Sequence, residues 1–219
     1  MKSVDEPAVF GVVVYDGVEP IDIGGTIGVI SMARRVLPHV RAVTIAERAG
    51  PVVLAGGLTI QADASFDDAP ACDRIIVTGG PGWRAQTQNT AMLTFLRRQA
   101  PATLASVCTG AMILGAAGAL EHRSVTTRRH AVGAESLAPL AELEAFTPAA
   151  RRVTAAVVDD HGLVTGGGVS LAIDATLYLL GQMYGAEARD AVAAVIEYDR
   201  AYRANEAALG HLRVVPAAP

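Results

Sequence analysis

Ala8 to Tyr15 is an unbroken apolar run rich in valine, and a strand that is apolar at every position must be covered on both faces. Asp16-Gly17 ends it, and Pro20 to Arg35 follows with apolar residues near helical spacing. The same alternation then recurs. Val40 to Ala46, Arg74 to Thr78 and Thr103 to Val107 read as strands, Asn89 to Ala100 and Thr109 to Leu120 as helices, and Pro51 to Ile60 as a small hairpin around Gly56-Gly57. Further on, strands are expected at Arg152 to Val158 and Leu163 to Thr165, turned through Asp159-Asp160-His161-Gly162. Helices are expected from about Ser170 to Tyr184 and Ala186 to Tyr198. Strands alternating with helices predict an α/β protein with a mostly parallel sheet covered by helices on both faces. No linker, repeat or low-complexity segment divides the chain. We therefore expect one domain over 1–219, with a core of about 7–185 and a C-terminal helix and tail of about 186–219.

In such sheets ligands bind beyond the carboxyl ends of the strands, which draws attention to three loops. These are Asp16 to Gly25, Gly79 to Gly82, and the segment at Cys108. In Ser106-Val107-Cys108-Thr109-Gly110 the cysteine lies between an apolar extended run and a small-residue helix, the setting of a nucleophile elbow. Helix-start N–H groups favour thiolate over thiol, and an unperturbed thiol is only about 3% ionised at pH 7, so a lowered pKa is expected here. The plain alternative is a small core residue, the role left to Cys72, which has no such context. Asp22, on the first loop, is either a helix N-cap or an acidic partner for the cysteine. Glu19 reads as exposed turn. Gly79 and Gly80 read as a turn, or as a source of backbone N–H for an oxyanion together with the N–H of Thr109.

Absences narrow the chemistry. Lys2 is the only lysine, which removes a phosphate-loop lysine and a Schiff base together. His39, His122, His130, His161 and His211 lack metal-ligand spacing, so no metal and no cofactor is expected. A formal net charge of −4 speaks against a nucleic-acid surface. Two cysteines make no disulfide framework, and the first residues show no basic region followed by an apolar core. The apolar stretch Leu104 to Leu120 is broken by Ser106, Thr109 and three glycines, so no membrane span is expected and the cytoplasm is the expected compartment.

The elbow with its helix, Cys108-Thr109-Gly110-Ala111 through Leu114-Gly115-Ala116-Ala117-Gly118, resembles the ThiJ/PfpI superfamily of class I glutamine amidotransferase-like proteins. Gly17-Val18, Ile21-Asp22-Ile23, Gly79-Gly80, Thr126-Thr127, Thr165 to Gly168 with Ile173-Asp174, and Glu197-Tyr198-Asp199 extend the likeness over nearly the whole chain. Within the superfamily it is most similar to the isonitrile hydratase branch and to the ligand-binding halves of certain AraC-type regulators. The resemblance implies a flavodoxin-like three-layer sandwich, usually a homodimer, acting on a small-molecule substrate. It implies Cys108 as nucleophile, Asp22 as its hydrogen-bonded acid/base partner, and Gly80 and Thr109 as oxyanion donors. The implied reaction is hydro-lyase chemistry, hydrating an isonitrile to an N-substituted formamide. The regulator likeness implies instead a non-enzymatic ligand or redox sensor. The chain also departs from the branch. Arg128-Arg129 stand where His-Trp is usual, Thr26 where Pro is usual, and Arg200 to Arg203 where Pro-Pro-Phe is usual. Arg128 pointing into the pocket would suit an anionic substrate of a tailoring enzyme; pointing outward it would be one more surface charge.

Overall fold

The computed structural model describes residues 1–215. Twelve strands follow one another as β1 Ala8–Val13, β2 Val40–Ala46, β3 Gly50–Val53, β4 Thr59–Ala62, β5 Ala64–Ser65 and β6 Arg74–Val77. They continue as β7 Leu104–Ser106, β8 Ser124–Val125, β9 Arg151–Arg152, β10 Val157–Asp160, β11 Leu163–Gly166 and β12 His211–Val214. The helices are α1 Pro20–Ile23, α2 Val29–Ala33, α3 Trp83–Gln86, α4 Thr90–Arg97, α5 Gly110–Ala116, α6 Pro139–Glu142, α7 Ala172–Tyr184, α8 Ala186–Val195 and α9 Asp199–Leu209. Among the described residues no helix is long and apolar enough to cross a membrane.

Eight strands form one sheet in the order β12-β10-β11-β7-β6-β1-β2-β5. All its pairings are parallel except β10 with β11. Successive side chains of a strand point to opposite faces. On β6, Ile75 and Val77 join a core with Met92, Phe95, Met112 and Leu114, while Ile76 joins one with Leu177, Leu180 and Val192. Two apolar cores on the two faces make the three-layer α/β sandwich of the flavodoxin-like type.

Local chemistry sets the boundaries. Asn89 caps α4 by accepting hydrogen bonds from the N–H groups of Ala91 and Met92. Helix α5 is shorter than its composition suggests and stops before Gly118, which sits at φ +82°. The helix expected over Pro20 to Arg35 is interrupted by a π-helical turn at Gly24–Gly28, where the Thr26 hydroxyl donates to the Asp22 carbonyl at 2.7 Å.

Three expectations are corrected. Arg151–Arg152 pairs with β8 in a separate two-stranded sheet rather than beginning β10. Asp159 and Asp160 belong to β10 and are buried, because the Asp159 carboxylate accepts from Tyr178, Gln182 and Gly162 and the Asp160 carboxylate from the Ser124 N–H. The C-terminal segment is no appendage, since α8 packs into the second core and β12 extends the main sheet. Residues 216–219 of the expected tail lie outside the described residues.

Candidate active site

The loops leaving β1, β6 and β7 converge at one edge of the sheet. The Gly79 N–H donates to Asp22 Oδ2 at 2.7 Å, the Glu19 N–H to the Gly79 carbonyl at 2.9 Å, and the Gly80 N–H to Thr109 Oγ1 at 2.9 Å. Two further loops close the group, since the Cys108 N–H donates to the carbonyl of Gly167, after β11, at 3.0 Å and the hydroxyl of Thr127, after β8, to the Cys108 carbonyl.

Cys108 itself holds φ +51°, the strained left-handed conformation of a residue on an elbow. Two glycines permit it. A Cβ on Gly110 would lie 2.0 Å from the Val77 carbonyl oxygen, and one on Gly79 would lie 2.5 Å from the Thr109 nitrogen. The elbow can therefore press against β6 only with glycine at both places.

Cys108 is 4% exposed and lies at the floor of a cavity of about 230 Å³. Thr109 and Gly80 share that floor, and Pro81, Trp83, Val132 and Val169 form apolar walls. Drug-sized ligands usually occupy about 300–1,000 Å³, so this cavity suits a smaller molecule. Asp22 is fully buried, near enough to Cys108 for its charge to act on the thiol. It is not an N-cap, because Glu19 holds that place on α1 and Asp22 lies inside the helix.

The electrostatics overturn one expectation. The thiol is not activated by its position; it is pushed up to about 11, by burial first and by the nearby Asp22 charge second. The N–H groups of Val169 and Thr109 and the Arg128 charge pull the other way and do not prevail. Burial likewise pushes Asp22 up to about 7, with Glu19 adding to the rise and the Gly79 N–H and Arg128 opposing it. Each anion disfavours the other, so between pH values of about 7 and about 11 the two groups hold one proton, and it rests on the thiol. Asp22 Oδ1 is buried without a hydrogen-bond partner among the described residues. No hydrogen bond joins Asp22 to the sulfur; the two are coupled through charge.

The remaining candidates are placed as follows. The Gly80 N–H is engaged by Thr109 Oγ1, so it is not a free oxyanion donor, and the Thr109 hydroxyl keeps its own proton to donate. Arg128 is 9% exposed and lines the cavity, but its guanidinium donates to the Glu135 carboxylate and the His130 carbonyl. That partner holds Glu135 below the usual carboxylate range. Arg128 is thus neither surface charge nor a free anion site. Glu19 is half-buried in the cavity wall rather than exposed turn. Cys72 packs on β1 and β6 away from the cavity: a Cβ on Gly11 would lie 3.0 Å from its sulfur and 3.4 Å from Ile75. Among the described residues no three His, Cys, Asp or Glu side chains gather as a metal site.

Sequence reasoning missed Val169, Trp83 and Glu135. Val169 holds φ +58°, unusual for a β-branched residue, and turns its N–H toward the sulfur. The run of glycines before it marked a turn but not that contact. Glu135 and Trp83 reach the cavity only through tertiary packing.

A buried cysteine on a strained elbow between a parallel strand and a helix, beside a buried carboxylate, defines an α/β protein of the cysteine-elbow class. The chain belongs to the DJ-1/PfpI family, whose model matches residues 10–182. It is 31% identical to an isonitrile hydratase of Pseudomonas putida over 190 residues, covering 86% of this chain and 77% of that one. It is 33% identical to the HTH-type transcriptional regulator GbdR of Pseudomonas aeruginosa over 147 residues, which are 66% of this chain and only 37% of the regulator. The crystal structure of a ThiJ/PfpI family protein from Pseudomonas syringae matches with a TM-score of 0.75 at 25% identity, covering 89% of this chain and 76% of that one.

Proposed function

We propose that this protein is a cysteine-dependent hydro-lyase that adds water to a small isonitrile, giving an N-substituted formamide. The observation that carries the reading is the buried thiol of Cys108 on its elbow, coupled through charge to the buried Asp22 carboxyl, in a small cavity lined by Pro81, Trp83, Val132 and Val169. The similarity to an isonitrile hydratase supports the reaction class. In this reading the Cys108 thiol gives its proton to the Asp22 carboxylate, the thiolate attacks the terminal carbon of R–N≡C, and Asp22 delivers the proton to that carbon, leaving the thioimidate R–N=CH–S–Cys108. The Asp22 carboxylate then takes a proton from water as hydroxide adds to the same carbon and passes that proton to the nitrogen, giving R–NH–CH(OH)–S–Cys108, whose hydroxyl proton goes to the departing sulfur. Collapse expels the thiol and releases R–NH–CHO. One group with a pKa near 7 serves as acid and then as base. In this reading the Thr109 hydroxyl, whose oxygen accepts from the Gly80 N–H, donates to the oxygen that develops in the second half.

The test is steady-state turnover of a panel of small aliphatic isonitriles by pure protein, with formamide as the measured product. Cys108→Ser is expected to abolish it, and a panel with no turnover by the native protein rejects the reaction. The likeness to a regulator favours a second reading, a ligand sensor without turnover. Saturable binding of an isonitrile or related small molecule with no product would select it. An anionic substrate finds less support, because the guanidinium that would bind it already holds Glu135.

A further inference from the structure

Three charged side chains line the Cys108 cavity, and they are not equivalent. Arg128 and Glu135 neutralise one another, and both Glu135 oxygens are occupied, the second by the Val132 N–H at 2.9 Å. Glu19 has no side-chain hydrogen bond and no ion pair among the described residues. Its backbone, however, is fixed, since its N–H donates to the Gly79 carbonyl and it caps α1 ahead of Pro20. A carboxylate without a partner, on a fixed backbone in the lining of the cavity that Cys108 also lines, leaves one uncompensated negative charge at that cavity. Asp22, fully buried and coupled to the sulfur through charge, is assigned to the proton transfers and is not the group proposed to hold the cation.

From this arrangement we propose that Glu19 is a specificity residue, selecting small electrophiles that carry a cationic hydrogen-bond donor, a protonated amine above all, over neutral or anionic ones of the same size. The electrophilic end meets Cys108, a short apolar spacer lies against Pro81, Val132 and Val169, and the ammonium group meets the Glu19 carboxylate. The inference rests on the cavity being the substrate site, but not on isonitrile being the group attacked.

The test therefore uses probes of the cavity rather than turnover. Methanethiosulfonates bearing an ethylammonium, a methyl or an ethylsulfonate group transfer their thioalkyl group to a thiolate, forming a disulfide and releasing methanesulfinate. Their rates at Cys108, followed by peptide mass mapping that separates Cys72 and normalised to a free thiol, report charge preference at a constant thiolate fraction. The native protein is expected to favour the cationic over the anionic probe by about tenfold, equivalent to about 1.4 kcal/mol. Glu19→Gln is expected to lose most of that ratio, and Glu187→Gln, exposed on α8, to keep it. Glu19→Ala reads the same ratio should the glutamine variant fail to fold. A native ratio near one, a preference for the anion, or a cationic preference that survives loss of Glu19 overturns the proposal. A cationic preference lost with Glu19 alongside no isonitrile turnover would leave this inference standing and reject only the reaction.

Discussion

The thiol of Cys108 and the carboxyl of Asp22 are both held in their protonated direction by burial, which outweighs the helix start that the sequence emphasises. Alkylation of Cys108 by iodoacetamide is accordingly expected to rise through alkaline pH with a midpoint near 11, and a plateau reached below pH 8 would contradict the burial account. The fold pays in stability for the buried acid. Its folded pKa of about 7 lies above the unfolded carboxylate value, so its contribution is complete at low pH and is lost as pH rises from about 4 through 7. The loss is on the order of 4 kcal/mol at most. Asp22→Asn, which can keep the Gly79 contact, should gain melting temperature over the native protein at pH 8 and gain little at pH 4. The residue types and their segments were legible in the sequence, since Cys108 directly follows a strand and Asp22 lies in the connection that leaves β1. The direction of the thiol shift was not, because it depends on how much chain covers the elbow.

Among the elements, β1, β6, β7 and α5 were readable because each is dense in apolar residues that end up buried. Elements whose residues are satisfied at long range were not. Helix α9 shows this: it is tied to α7 through Asp174, whose carboxylate accepts from the Tyr198 hydroxyl at 2.9 Å and from Asn205 at 3.1 Å. Burial pushes Asp174 up to about 6 against those bonds. Tyr198→Phe removes a donor from a buried acceptor and should cost about 1–3 kcal/mol in urea unfolding. The cost should be larger at pH 8, where the carboxylate is ionised, than at pH 5. An unchanged unfolding midpoint at both pH values would show that α9 is held by its apolar contacts alone. The strap between β8 and α6 was likewise unreadable, because Arg128 finds Glu135 through a loop that carries no periodic signal.

As a whole, the molecule is a mostly parallel sandwich with an enzyme and a regulator among its relatives, so fold alone does not choose between turnover and sensing. The homodimer implied by the resemblance is a proposal at this scale. Light scattering should give twice the chain mass of 22.6 kDa, and the single mass at micromolar concentration would reject it. What chooses between enzyme and sensor is whether Asp22 works on substrate or only restrains the thiol. The two roles separate in Asp22→Asn, measured at pH 8 for both iodoacetamide alkylation and isonitrile hydration. Losing the Asp22 charge should lower the thiol pKa and speed alkylation, while loss of the acid/base group should slow hydration by about 10²–10⁴-fold. Hydration that persists at the native rate, or that rises along with alkylation, would contradict the account.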